Sequence, residues 1–155
     1  MLLIFDNLSR KHENLCRNLI VIHQSPRKCQ KKLEQIYQVQ NELHVDKIHI
    51  SYAQFLRLLA SNIDMNNVEF TEENIFDFIK LWQNDKIRNN FQLFRWRIRT
   101  SNFDVPKLLR LLRIDQNFND TRQWSTIEIR HNKDSGKNAQ FGFYDRSFQF
   151  RVLNQ

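Results

Sequence analysis

The stretch Phe91-Gln92-Leu93-Phe94-Arg95-Trp96-Arg97-Ile98-Arg99 interleaves bulky apolar side chains with guanidinium groups. Read as a helix, it places Arg88, Gln92, Arg95 and Arg99 on one stripe. Read as a strand, it places Arg95, Arg97 and Arg99 on one face. Either way the guanidinium groups converge, and their planar, bidentate donors suit phosphate oxygens. Lys107, Arg110 and Arg113 continue the charge at helical spacing, while Lys133 and Lys137 flank Gly136 further on. The chemistry expected is contact with the backbone of DNA or RNA by a non-enzymatic protein, through residues 86–113.

Other constellations point elsewhere. His12 and Cys16 lie four residues apart, and His23 and Cys29 follow across a proline turn. Two nitrogens and two sulfurs could close a tetrahedral zinc site. No Cys-x-x-Cys knuckle supports it, and both cysteines fall on apolar stripes where free cysteine packs well. No metal and no cofactor are therefore expected. Arg17-Asn18 followed by His23 resembles the Arg-polar-His signature of HEPN-type helical ribonucleases over seven residues. The two side chains would stand about 120° apart around a helix. Glu128-Ile129-Arg130 is similar to half of a metal-dependent nuclease strand with its lysine replaced. A small nuclease is thus a third reading, with no catalytic residue assigned. The second reading is a protein-interaction subunit of a larger complex, docking through an acidic 64–77 surface and the basic faces.

Composition narrows the classes further. Only Gly136 and Gly142 are glycine, against an average usage of roughly 7%. Phosphate-cradling loops need glycine backbone freedom, so no P-loop, dinucleotide fingerprint or nucleophile elbow can be written here. With two cysteines, a disulfide framework is not expected, and a reducing, intracellular compartment is. No apolar run reaches 18 residues, so no membrane span is expected. Thirteen Phe and three Trp supply a real core. The net charge of +7 is patterned in blocks: +6 over 10–32, −6 over 33–85 and +7 over 86–113. Such blocks make basic faces, or pair internally.

The elements that must position these groups follow from periodicity. Leu8, Leu15, Leu19 and Ile22 predict a helix over about 8–23. Ser25-Pro26 opens a second, with Cys29, Leu33, Ile36, Tyr37 and Leu43 inward. Ser51 and Gln54 form a capping box before a third. Thr71 caps a fourth, whose buried stripe is Ile75, Phe78, Ile79 and Trp82. Ile87, Phe91, Phe94 and Ile98 favour helix over strand for 87–99. Asp104 and Pro106 start a last helix. The period then drops to two in Ile127 and Ile129, in Phe141 and Phe143, and in Phe148, Phe150 and Val152, where Ser147, Gln149 and Arg151 face the other way.

The expected fold is α+β in a single domain over 1–155. A helical N-terminal two-thirds, about 1–115, precedes a three-stranded antiparallel meander over about 123–153. A late helix followed by a hairpin is similar in arrangement to a winged helix, with Lys133 and Lys137 on the wing.

Overall fold

The computed structural model describes residues 3–5, 18–22, 36–37, 39–46, 50–66, 68–87, 90–98, 103–115, 125–133, 136–144 and 146–153. Its elements run β1 (Leu3–Phe5), β2 (Asn18–Ile22), β3 (Glu42–Asp46), α1 (Tyr52–Phe55), β4 (Asn62–Met65) and α2 (Glu72–Gln83). Then come β5 (Leu93–Arg97), α3 (Val105–Leu112), β6 (Ser125–Arg130), β7 (Asn138–Tyr144) and β8 (Ser147–Val152). The strands join one mixed sheet in the order β1-β2-β3-β4-β5-β8-β7-β6. Strands β2 to β5 run parallel, and the C-terminal meander closes antiparallel onto β5 through β8. Six strands, β3 to β8, carry the described core.

This overturns the helical N-terminal two-thirds and the winged-helix-like arrangement. Asn18-Leu19-Ile20-Val21-Ile22 is rich in β-branched residues and forms a strand where a helix was expected. Leu43 lies in β3 and not on a helix. Within the helix expected over 87–99, residues Leu93–Arg97 form strand β5 instead. Two residues turn a helix by about 200°, which would send Trp96 away from Phe94. A strand puts both on one face, and both are fully buried. The separate three-stranded meander is likewise corrected: β6, β7 and β8 pair in sequence order but are continuous, through β8 on β5, with the one larger sheet, and there is no separate wing.

Three of the expected helix starts hold, at Ser51, Thr71 and Asp104, while Ser25-Pro26 lies outside the described residues. Ser51 and Gln54 make a reciprocal capping box, and Thr71 with Asn74 makes another. The Asp104 carboxylate accepts from the Lys107 N–H at 3.0 Å, and α3 ends on Arg113 in the left-handed region at φ 58°. The helices α1, α2 and α3 lie on one face of the sheet. Phe55 and Phe78 pack on Phe94, Phe78 and Trp82 pack on Phe150, and Phe103, just before α3, packs on Trp96 and Phe143. The Trp96 indole N–H donates to the Val68 carbonyl at 2.8 Å, which satisfies the polar atom of a buried ring.

Strand β6 ends the sheet on one side. There Gln83, the last residue of α2, donates its side-chain N–H to the Arg130 carbonyl at 3.2 Å. Its own carbonyl accepts the Asn132 N–H at 2.9 Å.

Candidate functional site

Because side chains alternate along a strand, burying one face of this sheet forces the other outward. Among the described residues no helix covers that outer face. One row of register partners crosses it from β3 to β6: His44, Asp64, Arg95, Gln149, Gly142 and Thr126. A second, two residues along, reads Glu42, Asn62, Leu93, Arg151, Gln140 and Glu128.

Charge is sorted by strand. Strands β3 and β4 carry Glu42, Asp46 and Asp64 with no lysine or arginine, whereas β5 and β8 carry Arg95, Arg97 and Arg151 with no carboxylate. The sign therefore changes between β4 and β5. Asp64 sits at this boundary, with the His44 Nδ1 3.4 Å from its Oδ2 on one side and Arg95 opposite it on the other. Arg95, Arg97 and Arg151 are exposed, and none forms an ion pair with another described residue.

The basic residues expected to share a footprint are divided by this geometry. Arg95 and Arg97 share the outer face, as the strand alternative had it. Lys107 and Arg110 lie on the helical side. The Lys107 ammonium is 2.7 Å from Glu73 Oε1 and 3.4 Å from Glu72 Oε2. Their hydrogen bond holds the Glu73 carboxyl below its usual range and, from the other side, raises Lys107 above its own. Arg110 faces Asp104 at 3.8 Å, and Arg113 is the C-cap of α3. In the β6–β7 hairpin Lys133 is exposed, whereas Lys137 is largely buried 3.9 Å from Asp85. Arg88, Arg99 and Arg17 lie outside the described residues, as do His12, Cys16, His23 and Cys29, the set at which no metal was expected. Glu128 and Arg130 are exposed neighbours on the outer face of β6.

Arg151, Gln149, Gln140 and Gly142 were not singled out from sequence. The signal was present in the alternation of Ser147, Gln149 and Arg151 against the buried Phe148 and Phe150 and the partly buried Val152. Their proximity to Arg95 was not, because β8 reaches β5 only by long-range pairing.

Comparison with family models, with curated proteins and with solved structures finds no match for this chain. No helix among the described residues is long and apolar enough to cross a membrane.

Proposed function

We propose that this chain is a protein-binding module that holds its partner against the outer face of the sheet. The observation that carries this reading is the change of sign between Asp64 and Arg95. A surface acidic on two strands and basic on the next two is complementary to a partner with the opposite order of charges, basic over β3–β4 and acidic over β5–β8. Such an arrangement sets orientation and raises the rate of encounter. Arginine is also the cation most enriched in protein interfaces.

A polyanion fits this face less well. Nucleic acid laid across the strands would meet three carboxylates on β3 and β4. Single-stranded binders also offer aromatic rings for base stacking, and here the aromatic residues of β5 and β8 face the core. The basic residues of 86–113 are moreover split between the two sides of the molecule, which shrinks the phosphate footprint first expected of them.

The test places a photo-crosslinking residue at Gln149 on the outer face and, separately, at Ala53 on the helical side. The reading requires a protein that crosslinks from 149 and not from 53 through an acidic peptide. It must be lost on joint replacement of Arg95, Arg97 and Arg151 by Glu. Equal yields from both positions would overturn it. So would tight retention of a random oligonucleotide with a steep salt slope, which is the nucleic-acid outcome.

A further inference from the structure

Gly142 stands in the middle of β7, where glycine is unusual because it leaves the strand nothing to pack. Neither common backbone reason applies. Pairing is one-to-one on both sides, Thr126 to Gly142 and Gly142 to Gln149, so there is no bulge at this point. The chain has no glycine with positive φ, so another residue could adopt this backbone. Phe141 and Phe143 turn into the core, and the missing side chain of Gly142 therefore belongs to the outer face.

Gly142 itself is buried, and beside it an open depression of about 220 Å³ is lined by its register partners Thr126 and Gln149 together with Gln140, Phe141 and Arg151. A β-carbon on residue 142 would project between Thr126 and Gln149. The geometry points to a carboxylate-binding subsite at this depression, taking an Asp or Glu side chain of the partner. This inference rests on the outer face being the docking surface and names one anchor within it.

The chemistry of the lining sets the ligand. Arg151 offers a planar fork that matches a carboxylate bidentately. The amides of Gln140 and Gln149 and the hydroxyl of Thr126 add neutral donors. None of these four side chains is hydrogen-bonded to another described residue. Arg151 is the one cation in the lining, and Glu128 is the register partner of Gln140 beside it. One positive charge with an acid close by suits a monoanion better than a phosphate dianion.

The two glycines make the test direct. Protein labelled with ¹⁵N only in glycine gives one signal from Gly142 and one from Gly136 in the hairpin. Titration with a tetraglutamate peptide is expected to move the Gly142 signal saturably and leave Gly136 still. Inorganic phosphate, run in parallel, is expected to bind more weakly. Arg151→Gln should weaken peptide binding roughly tenfold or more, the scale of one charge-assisted hydrogen bond. Gly142→Val should do the same, read by anisotropy of a labelled peptide on protein shown to be folded. A Gly142 signal that stays still, or phosphate binding tighter than the peptide, overturns the subsite. If Gly142→Val does not fold, Arg151→Gln and the wild-type titration still decide. Loss of partner crosslinking on replacing Arg95 and Arg97 alone, with a silent Gly142, would remove this subsite and keep the docking face. Silence in both would remove both.

Discussion

Asp64 and Arg95 are register partners on adjacent parallel strands, and the charge of the exposed sheet face changes sign between them. His44 lies beyond Asp64 and Gln149 beyond Arg95, so the boundary sits inside a continuous row of polar side chains. Exchanging the pair, with Asp64→Arg and Arg95→Asp, keeps the local complementarity and inverts it towards a partner. Exposed pairs of this kind contribute about 0–1 kcal/mol. Denaturant unfolding should therefore shift little, while partner crosslinking from position 149 falls away.

The inner face behaves differently. Phe148 and Phe150 are fully buried beneath the helices. Phe148→Ala is expected to cost about 3–5 kcal/mol in urea unfolding, from lost transfer energy and the cavity left behind. Arg151→Gln, one strand position further out, should stay within about 0.5 kcal/mol of wild type. A Phe148→Ala protein as stable as its parent would refute the packing of helices on this sheet.

Tyr52 donates its hydroxyl to Asp77 Oδ2 at 2.7 Å. Burial first, and then this hydrogen bond to a carboxylate, push its ionisation far above the ordinary tyrosine range. Because the folded value is the raised one, its contribution to stability is complete below the ordinary value of about 10 and is lost as pH rises beyond it. Tyrosinate absorbance from Tyr52 should appear only on alkaline unfolding. Tyr52→Phe should remove that late portion and cost about 1 kcal/mol at neutral pH.

Glu73 and Lys107 clasp α2 to α3. The Glu73 carboxyl is held low by this hydrogen bond. Its contribution is thus present above the ordinary glutamate range and is lost as pH falls through that range and below. A carbon-detected carboxyl titration should find Glu73 low in wild type and returned towards the ordinary value in Lys107→Met. The same variant should leave crosslinking from position 149 unchanged, because Lys107 lies on the opposite side of the sheet.

Legibility in the sequence follows range. Capping is a matter of three or four residues, and Ser51, Thr71 and Asp104 all declare their helices. The meander is legible because Phe141, Phe143, Phe148 and Phe150 alternate over two long strands. Strands β3 and β4 each bury only two apolar residues, Leu43 with Val45 and Ile63 with Met65, too few to establish a period. Around β5 the spacing of Ile87, Phe91, Phe94 and Ile98 imitates a helix, and Trp96 is the residue that decides against it. The site was half legible for the same reason. Arg95 and Arg97 are neighbours in sequence, whereas Arg151 joins them only when β8 pairs with β5.

The junction of Gln83 with β6 has a consequence for self-assembly. An open sheet edge is a template on which a further chain can add, strand upon strand, towards a fibril. Here Gln83 already occupies the Arg130 carbonyl and the Asn132 N–H at the end of that edge. An incoming strand would have to displace it, and Gln83 follows Trp82, whose ring is packed against Phe150 and His131. Strand addition at this end of the edge therefore has to break the link between α2 and β6, so the contact that fixes the end of the helix also blunts the template.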